Sequence, residues 1–191
     1  MNLIVVTPPT EELLSAAEAK LQSRVDGSTE DTLIATYIKA AREKCEEIAR
    51  RAFVTQTLAL VLDEWPTGSS IKLPRPPLIS VTSVTYKLAD GTEQEFSDFV
   101  IDTASEPGRL ALADGASWPS DSLYPIGAIR IEFQAGYGAA ELVPQIYKMA
   151  VQLLAAHWYE NREATTPNAL GSVEVPFGVS ALLTGDRGWY G

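Results

Sequence analysis

With 191 residues, 46% of them hydrophobic and 21% charged, the chain can bury one core, or a small core carrying an insertion, and no long segment is biased enough for wholesale disorder. A net charge of -10, from 25 acidic against 15 basic residues, argues against a dedicated duplex-DNA binder, where Lys and Arg must neutralise phosphates. The single cysteine excludes an internal disulfide and fits a reducing compartment, the apolar runs fall short of the ~18 residues that span a bilayer, and MNLIVVTPPTEE lacks the features of a signal peptide, so a soluble, membrane-free chain made in the cytoplasm is expected.

Thr10, Glu11 and Glu12, after Pro8-Pro9, predict a short helix over about 10–24, opened by a cap-type residue and acids in the first turn. Asp26-Gly27 breaks it. Ser28, with Asp31 three residues on in the manner of a capping box, opens a second helix over about 29–51. Its apolar seam is Ile34, Tyr37, Ile38, Ala41, Cys45 and Ile48. The opposite face carries Lys39–Glu43, Arg42–Glu46, Glu46–Arg50 and Glu47–Arg51 at i,i+4, read as solvated pairs. Cys45 lies in the seam and is read as a small buried hydrophobe, not a nucleophile.

The apolar period then changes from 3.6 to 2. Leu58, Leu60 and Leu62 alternate, and Pro74-Arg75-Pro76-Pro77 forms a stiff connector that cannot donate to a central ladder. Ile79 and Val81 alternate in one phase and Val84, Tyr86 and Leu88 in the other, so a bulge is expected near Thr82-Ser83. Asp90-Gly91 signals a hairpin with Phe96–Asp102 returning, and Gly108–Leu112 and Ile126–Gln134 are further strands.

A last long helix, about 143–163, starts at Pro144, expected at its first position. Gln145, Lys148, Gln152 and Tyr159 form one polar strip. Ile146, Met149, Ala150, Val151, Leu153, Leu154, His157 and Trp158 fill the rest, an arc roughly twice the ~100° of a helix with one buried face. Two neighbours are expected: Ile146, Ala150, Leu153 and His157 toward the second helix, and Val151, Leu154 and Trp158 toward the sheet or an adjoining subunit. Residues 164–175 are small, polar and punctuated by Pro and Gly. The apolar groups beyond them have no obvious place in a monomer core and either fold back or dock on a partner. The fold class is α+β: a helical core of two long helices and a short N-terminal one, an antiparallel β insertion over about 54–134, and an extended C-terminal arm. Residues 1–163 make one domain and 164–191 the arm.

No chemistry stands out. Gly136-Tyr137-Gly138 occupies the place of a dinucleotide turn, but Glu141 replaces the third glycine and opposes a pyrophosphate, so a turn with glycines at positive φ is favoured. His157 is the lone histidine and Cys45 the only other soft ligand, which leaves no metal set; a core histidine is the simpler reading. Ser172 lacks the elbow pattern of a hydrolase nucleophile, and the acid pairs Glu30-Asp31 and Asp63-Glu64 fit a helix cap and a strand end. Trp65, Trp118, Trp158 and Trp189 are dispersed, each as compatible with packing as with an interface. No catalytic residue, cofactor or metal is expected.

Several stretches taken in order carry a resemblance. They are Glu30-Asp31-Thr32-Leu33-Ile34 with Ala40-Ala41-Arg42, Thr55-Gln56-Thr57 before Leu62-Asp63-Glu64-Trp65-Pro66, and Ile71-Lys72-Leu73-Pro74-Arg75-Pro76-Pro77-Leu78. Ala135-Gly136-Tyr137-Gly138, Val143-Pro144, Ala156–Glu163 and Val175-Pro176-Phe177-Gly178-Val179 with Leu182-Leu183 complete the set. Over residues 10–187 the chain resembles the head–tail connector (adaptor) proteins of long-tailed bacteriophages and of phage-derived gene transfer particles. The resemblance implies a non-enzymatic structural protein of the virion neck. It would form a homo-oligomeric ring, commonly twelvefold, between the portal and the stopper or tail-completion protein, with DNA passing through the channel without specific binding. The portal-facing role would fall to Pro176, Phe177, Gly178, Val179, Leu182, Leu183, Arg187 and Trp189, and a subunit interface to Val151, Leu154 and Trp158. The free chain would be monomeric or weakly associated, with a protease-sensitive tail after Glu163. The alternatives are a small acidic enzyme, with Gly136–Gly138 and His157 lining a pocket, and a regulatory protein-binding module.

Overall fold

The computed structural model describes residues 2–23, 27–161 and 175–184. Within them the chain forms two compact units: a β unit of residues 2–10 and 55–136, and a helical unit of residues 11–54, 137–161 and 175–184.

The β unit holds two antiparallel sheets. Strands β1 (Asn2–Thr7), β2 (Gln56–Leu62), β4 (Leu78–Lys87), β5 (Glu93–Glu95) and β8 (Ile129–Ala135) form one in the order β1-β2-β8-β4-β5. Strands β3 (Ser70–Lys72), β6 (Phe99–Asp102) and β7 (Arg109–Leu112) form the other in the order β3-β7-β6. The alternation at 58, 60 and 62 sets the register: Leu58 lies opposite Phe133, Leu60 opposite Ile131 and Leu62 opposite Ile129. Val84 joins Ile131 from the other side, and the side chains at 58, 60, 84, 131 and 133 are all buried. A one-residue slip would turn this whole set to the opposite face, so burial enforces the pairing. The expected bulge is present as a register shift between Val81 and Ser83.

Two expectations change here. Asn2–Thr7 was not expected as a strand, yet it pairs with β2, so an edge of the sheet comes from ahead of the first helix and the sheet is not wholly an insertion. The Asp90-Gly91 turn does close a hairpin: Leu88 N–H donates to Thr92 O, Asp90 Oδ1 accepts from Thr92 N, and Gly91 sits at φ 91°. The returning strand is Glu93–Glu95 alone, however, and Phe99–Asp102 leaves to pair with β7 in the second sheet. Between the sheets' loops, the Trp65 and Trp118 rings stack at 4.8 Å with Phe96 5.5 Å from each, and Trp118 Nε1 donates to Gly68 O. These two tryptophans therefore serve packing within the unit.

At the end of β6, Asp102 accepts from Ser105 Oγ at 2.6 Å and from Arg109 Nη2 at 2.7 Å. The Ser105 hydroxyl first, then Arg109 and the Ser105 amide, hold its carboxyl well below the usual carboxylate range. A depressed folded-state pKa stabilises above the unfolded value, roughly 3.9, and the contribution is lost as pH falls through the folded value. In an NMR titration Asp102 should therefore stay ionised below pH 3, and Ser105→Ala should raise its midpoint toward the ordinary value.

The helical unit contains α1 (Ala16–Ser23), α2 (Asp31–Ala49), α3 (Gln145–Glu160) and α4 (Phe177–Thr184), with a single 3₁₀ turn at Ala140–Leu142. The first helix starts later than Thr10 because Ser15 caps it. Glu18 N–H donates to Ser15 Oγ, and Glu18 Oε2 accepts from the Ser15 amide at 2.8 Å, a reciprocal capping box. The second helix starts at Asp31 and not near Thr29. Its cap residue is Glu30, with no side-chain cap bond, and Ser28 contributes only its carbonyl to Asp31 N. Arg50 ends it in the left-handed region at φ 55°. Pro144 sits one place before the third helix, as its cap.

The expected seam of α2 is largely buried: Ile34, Ile38, Ala41 and Cys45 enter the core, with Tyr37 and Ile48 packed at its margin. The Cys45 thiol is pushed up to about 12, by burial first and the neighbouring Glu46 charge second, which makes it an inert hydrophobe. The solvated reading of the opposite face fails at the Arg42–Glu46 pair, and also at Arg51, which is buried. Arg42 and Glu46 are only 3% and 4% exposed. Arg42 Nη1 donates to Glu46 at 2.9 Å and its Nε to Glu12 at 2.7 Å, while Glu46 Oε1 accepts from Phe53 N.

Candidate assembly surface

The third helix decides which surfaces remain for partners. Its buried residues are Tyr147, Ala150, Val151, Leu154 and Ala155, and Tyr147 stacks on Phe53 at 4.5 Å. Val151 and Leu154, expected at a subunit interface, are fully buried in the chain's own helical core, with Trp158 partly buried beside them. The division of the arc is thus the reverse of that expected. Of the four residues assigned to the second helix only Ala150 is buried and His157 is half-buried; Ile146 and Leu153, with the neighbouring Met149, are 41%, 37% and 53% exposed. On a 3.6-residue wheel these three fall within about 60° of one another, as the 3 and 4 spacings require. Leu142, in the turn just before, is 63% exposed. Sequence periodicity measured the width of the arc correctly but could not tell which half faces inward, because both halves are equally apolar.

Beside this exposed stripe, the space between α1 and α3 forms a groove of about 280 Å³ lined by Leu14, Glu18, Gln145, Lys148, Met149 and Gln152. The Glu18 carboxyl is held below its usual range, mainly by the Ser15 amide and hydroxyl. The groove gathers no nucleophile–base pair.

The C-terminal set divides three ways. Residues 177–184 form α4, which packs against α2 and α3 and buries Val179 and Leu183 at 1% and 0% exposure, with Leu182 partly buried. These apolar groups do have a place in the monomer core, contrary to the reading of a loose arm over this stretch. Pro176 is half-buried, Gly178 is exposed, and Phe177 stands 89% exposed at the head of the helix. Arg187 and Trp189, and the expected protease-sensitive stretch over 162–174, lie outside the described residues.

The suspected chemical features have structural duties. Gly136 and Gly138 sit at φ 130° and 118°, and a Cβ on Gly138 would meet Leu142 Cδ1 at 2.7 Å. His157 lies in the last turn of α3, where Asn161 Nδ2 is 3.3 Å from its Nδ1. Twelve residues separate the start of that helix from His157, an axial distance of roughly 18 Å, so the glycine turn and the histidine do not line one pocket. Glu30 accepts from Tyr159 Oη and Asp31 pairs with Lys20, while Asp63 accepts from Gly127 N at 2.7 Å. Among the described residues no group of three His, Cys, Asp or Glu side chains could hold a metal ion.

In the β unit, besides Ile79, Tyr124 and Ile126, the last 78% exposed, apolar exposure gathers on two edge strands. Ile4, Val5 and Val6 of β1 are 39–56% exposed, and Val100 and Ile101 of β6 are 55% and 40% exposed. The opposite edges, Glu93–Glu95 and Ser70–Lys72, are short and charged, the usual protection of a free edge.

No protein-family model and no curated protein sequence matches the chain. Among solved structures, a chain in the "Virion of native gene transfer agent (GTA) particle" is 28% identical, with a TM-score of 0.77 over 98% of this chain and 95% of that one. A chain in the "Neck of empty GTA particle computed with C6 symmetry" is 29% identical with a TM-score of 0.77, at the same coverage of both chains. A third, in the "Neck of native GTA particle computed with C12 symmetry", is 27% identical with a TM-score of 0.73, again over 98% and 95% of the two chains. Agreement over nearly the full length of both chains takes in both units and α4. It supports a phage-derived neck protein.

Proposed function

We propose that the chain is a structural, non-enzymatic component of a virion neck that assembles as a ring between the portal and the stopper or tail components and continues the DNA channel. The observation that carries this reading is the full-length likeness to gene transfer agent neck structures, two of them computed with sixfold and twelvefold symmetry. A net charge of -10 agrees with it, because an acidic wall repels DNA and lets it pass. The exposed apolar residues on α3 and the two unprotected strand edges agree as well, since they await partners.

Within this reading the portal contact lies at the start of α4. Val179 and Leu183 hold that helix to its own chain, and Phe177, flanked by Pro176 and Gly178, is presented outward as the anchor. Arg187 and Trp189 are given the same partner by the resemblance alone. A buried aromatic anchor is the kind of residue that dominates an interface. Co-expression with the portal protein encoded alongside, followed by electron microscopy, should show a ring on the portal. Phe177→Ala should reduce portal capture at least tenfold, the loss of roughly 1.4 kcal/mol or more expected of an interface anchor, with the thermal midpoint unchanged. Wild-type protein that forms no ring and captures no portal would overturn the reading.

A further inference from the structure

We infer that the exposed stripe Ile146, Met149 and Leu153 on α3 is the contact between neighbouring copies, and that it packs on the outer face of α2, at Leu33, Thr36 and Ala40, of the next copy. This deepens the ring reading and rests on it.

Cyclic assembly above a dimer requires a heterologous interface, in which each copy offers two different surfaces. One surface is plain: three large apolar side chains in a single stripe, 37–53% exposed, on a helix whose other side is fully packed. The second must be found elsewhere on the same unit if the contact is made helix to helix. Among its described residues, the large exposed hydrophobics outside the stripe are Leu33, Leu142 and Phe177. Leu142 adjoins the stripe in sequence and belongs to that surface. Phe177 is a single residue on an eight-residue helix and has the portal role. Leu33 is different, because it lies on a helix of 19 residues with exposed Thr36 and half-buried Ala40 at i+3 and i+7.

The two stripes have the same repeat. Ile146, Met149 and Leu153 are spaced 3 and 4, as are Leu33, Thr36 and Ala40, the spacing that brings two helices into register along a seam. Their sizes complement one another. Thr and Ala at the second and third positions leave room for Met and Leu from the facing helix, and small side chains permit close approach of the axes. Past Ala40 the outer face of α2 turns charged, with Glu43, Lys44 and Glu47, which sets the end of the apolar contact. Two copies of the α3 stripe meeting each other would instead form a closed dimer and leave no surface to propagate a ring.

The test uses the full-length chain co-expressed with its portal. The native Cys45 is fully buried, so engineered thiols report without background. Met149→Cys is combined in turn with Leu33→Cys, Thr36→Cys and Ala40→Cys, and the rings are oxidised and run on a non-reducing gel. The expected result is a ladder of covalent multimers from at least one double variant and none from the single variants. A second variant, Met149→Glu, should abolish rings while the thermal midpoint of the free chain is unchanged, because residue 149 is exposed in that chain. Rings seen by electron microscopy without any ladder, or rings that persist with Met149→Glu, would overturn the α3–α2 contact and leave the ring reading standing. A ladder that stops at the dimer would mean a closed pair and would overturn it too. Absence of wild-type rings would overturn both.

Discussion

Replacing Arg42 with Ala should destabilise the helical unit by about 3–5 kcal/mol, the cost of leaving a buried carboxylate without its counter-charge. Glu46 is 4% exposed, holds Arg42 at 2.9 Å and accepts from Phe53 N at 2.7 Å, so without Arg42 its charge has lost a principal stabilising partner. Arg42 also reaches Glu12, thirty residues back, and so ties the segment before α1 to the second helix. Burial alone would lower the Arg42 pKa. The hydrogen bond to Glu12 and the charges of Glu46, Glu12 and Glu43 outweigh it, and the net shift is upward. A raised cationic pKa contributes stability that is fully present below the unfolded value and lost only as pH rises through the folded one. That window lies far above the physiological range, so the Arg42 contribution should be flat from pH 5 to 10. Thermal melts at pH 7 should show the single variant's midpoint lowered by about 10 °C, taking roughly 2–4 °C per kcal/mol for a chain of this size. The double variant Arg42→Met with Glu46→Gln should recover more than half of the loss. It removes the buried charge while an amide oxygen still accepts from Phe53 N. A single variant within 1 °C of wild type would show that the pair is not a structural tie.

What sequence could and could not show follows from where the information resides. The β2 register was readable because Leu58, Leu60 and Leu62 alternate against polar or small neighbours, and a period of 2 fixes a face. The bulge was readable because the apolar phase visibly shifts between Val81 and Val84. β1 was not readable as a strand. As a sheet edge it is exposed on both faces, and Leu3-Ile4-Val5-Val6 has no alternation to detect. Arg42 and Glu46 share the i,i+4 spacing of the exposed Lys39–Glu43 pair, and the distant Glu12 and the bend at Phe53 make that position interior. The expected opening of the first helix at Thr10 passes over Ser15, although Glu18 three residues on completes a capping box with it. For the candidate surface, the excess apolar width of α3 was legible and correctly signalled a second partner, but the inward half had to be seen. α4 was missed because Phe177-Gly178-Val179 has poor helix propensity; tertiary packing of Val179 and Leu183 overrides it.

That last override sets up the prediction that separates two ways of using the C-terminal helix. Eight residues are too few to hold a helix in water unaided, so α4 exists because Val179 and Leu183 are seated among α2 and α3. Leu183→Asp places a charge at a fully buried position and should release the whole helix, exposing 175–184 to limited proteolysis while α2 and α3 keep their mutual packing. If Phe177 works as an anchor presented from a seated helix, the release disperses it over many conformations, and pre-organisation is lost. Portal capture by Leu183→Asp should then fall at least as far as with Phe177→Ala, tenfold or more by the anchor argument. If instead α4 must leave its seat to bind, the same substitution removes the competing intramolecular contact and capture should rise. Unseating two buried aliphatic side chains costs roughly 3–6 kcal/mol at about 1.5–3 kcal/mol each, which a portal would have to exceed before gaining any affinity. The seated mode avoids that cost, and the fall in capture is the expected result. A rise, measured by co-purification with the portal against wild type, would transfer Val179 and Leu183 from the core of the free chain to the portal interface.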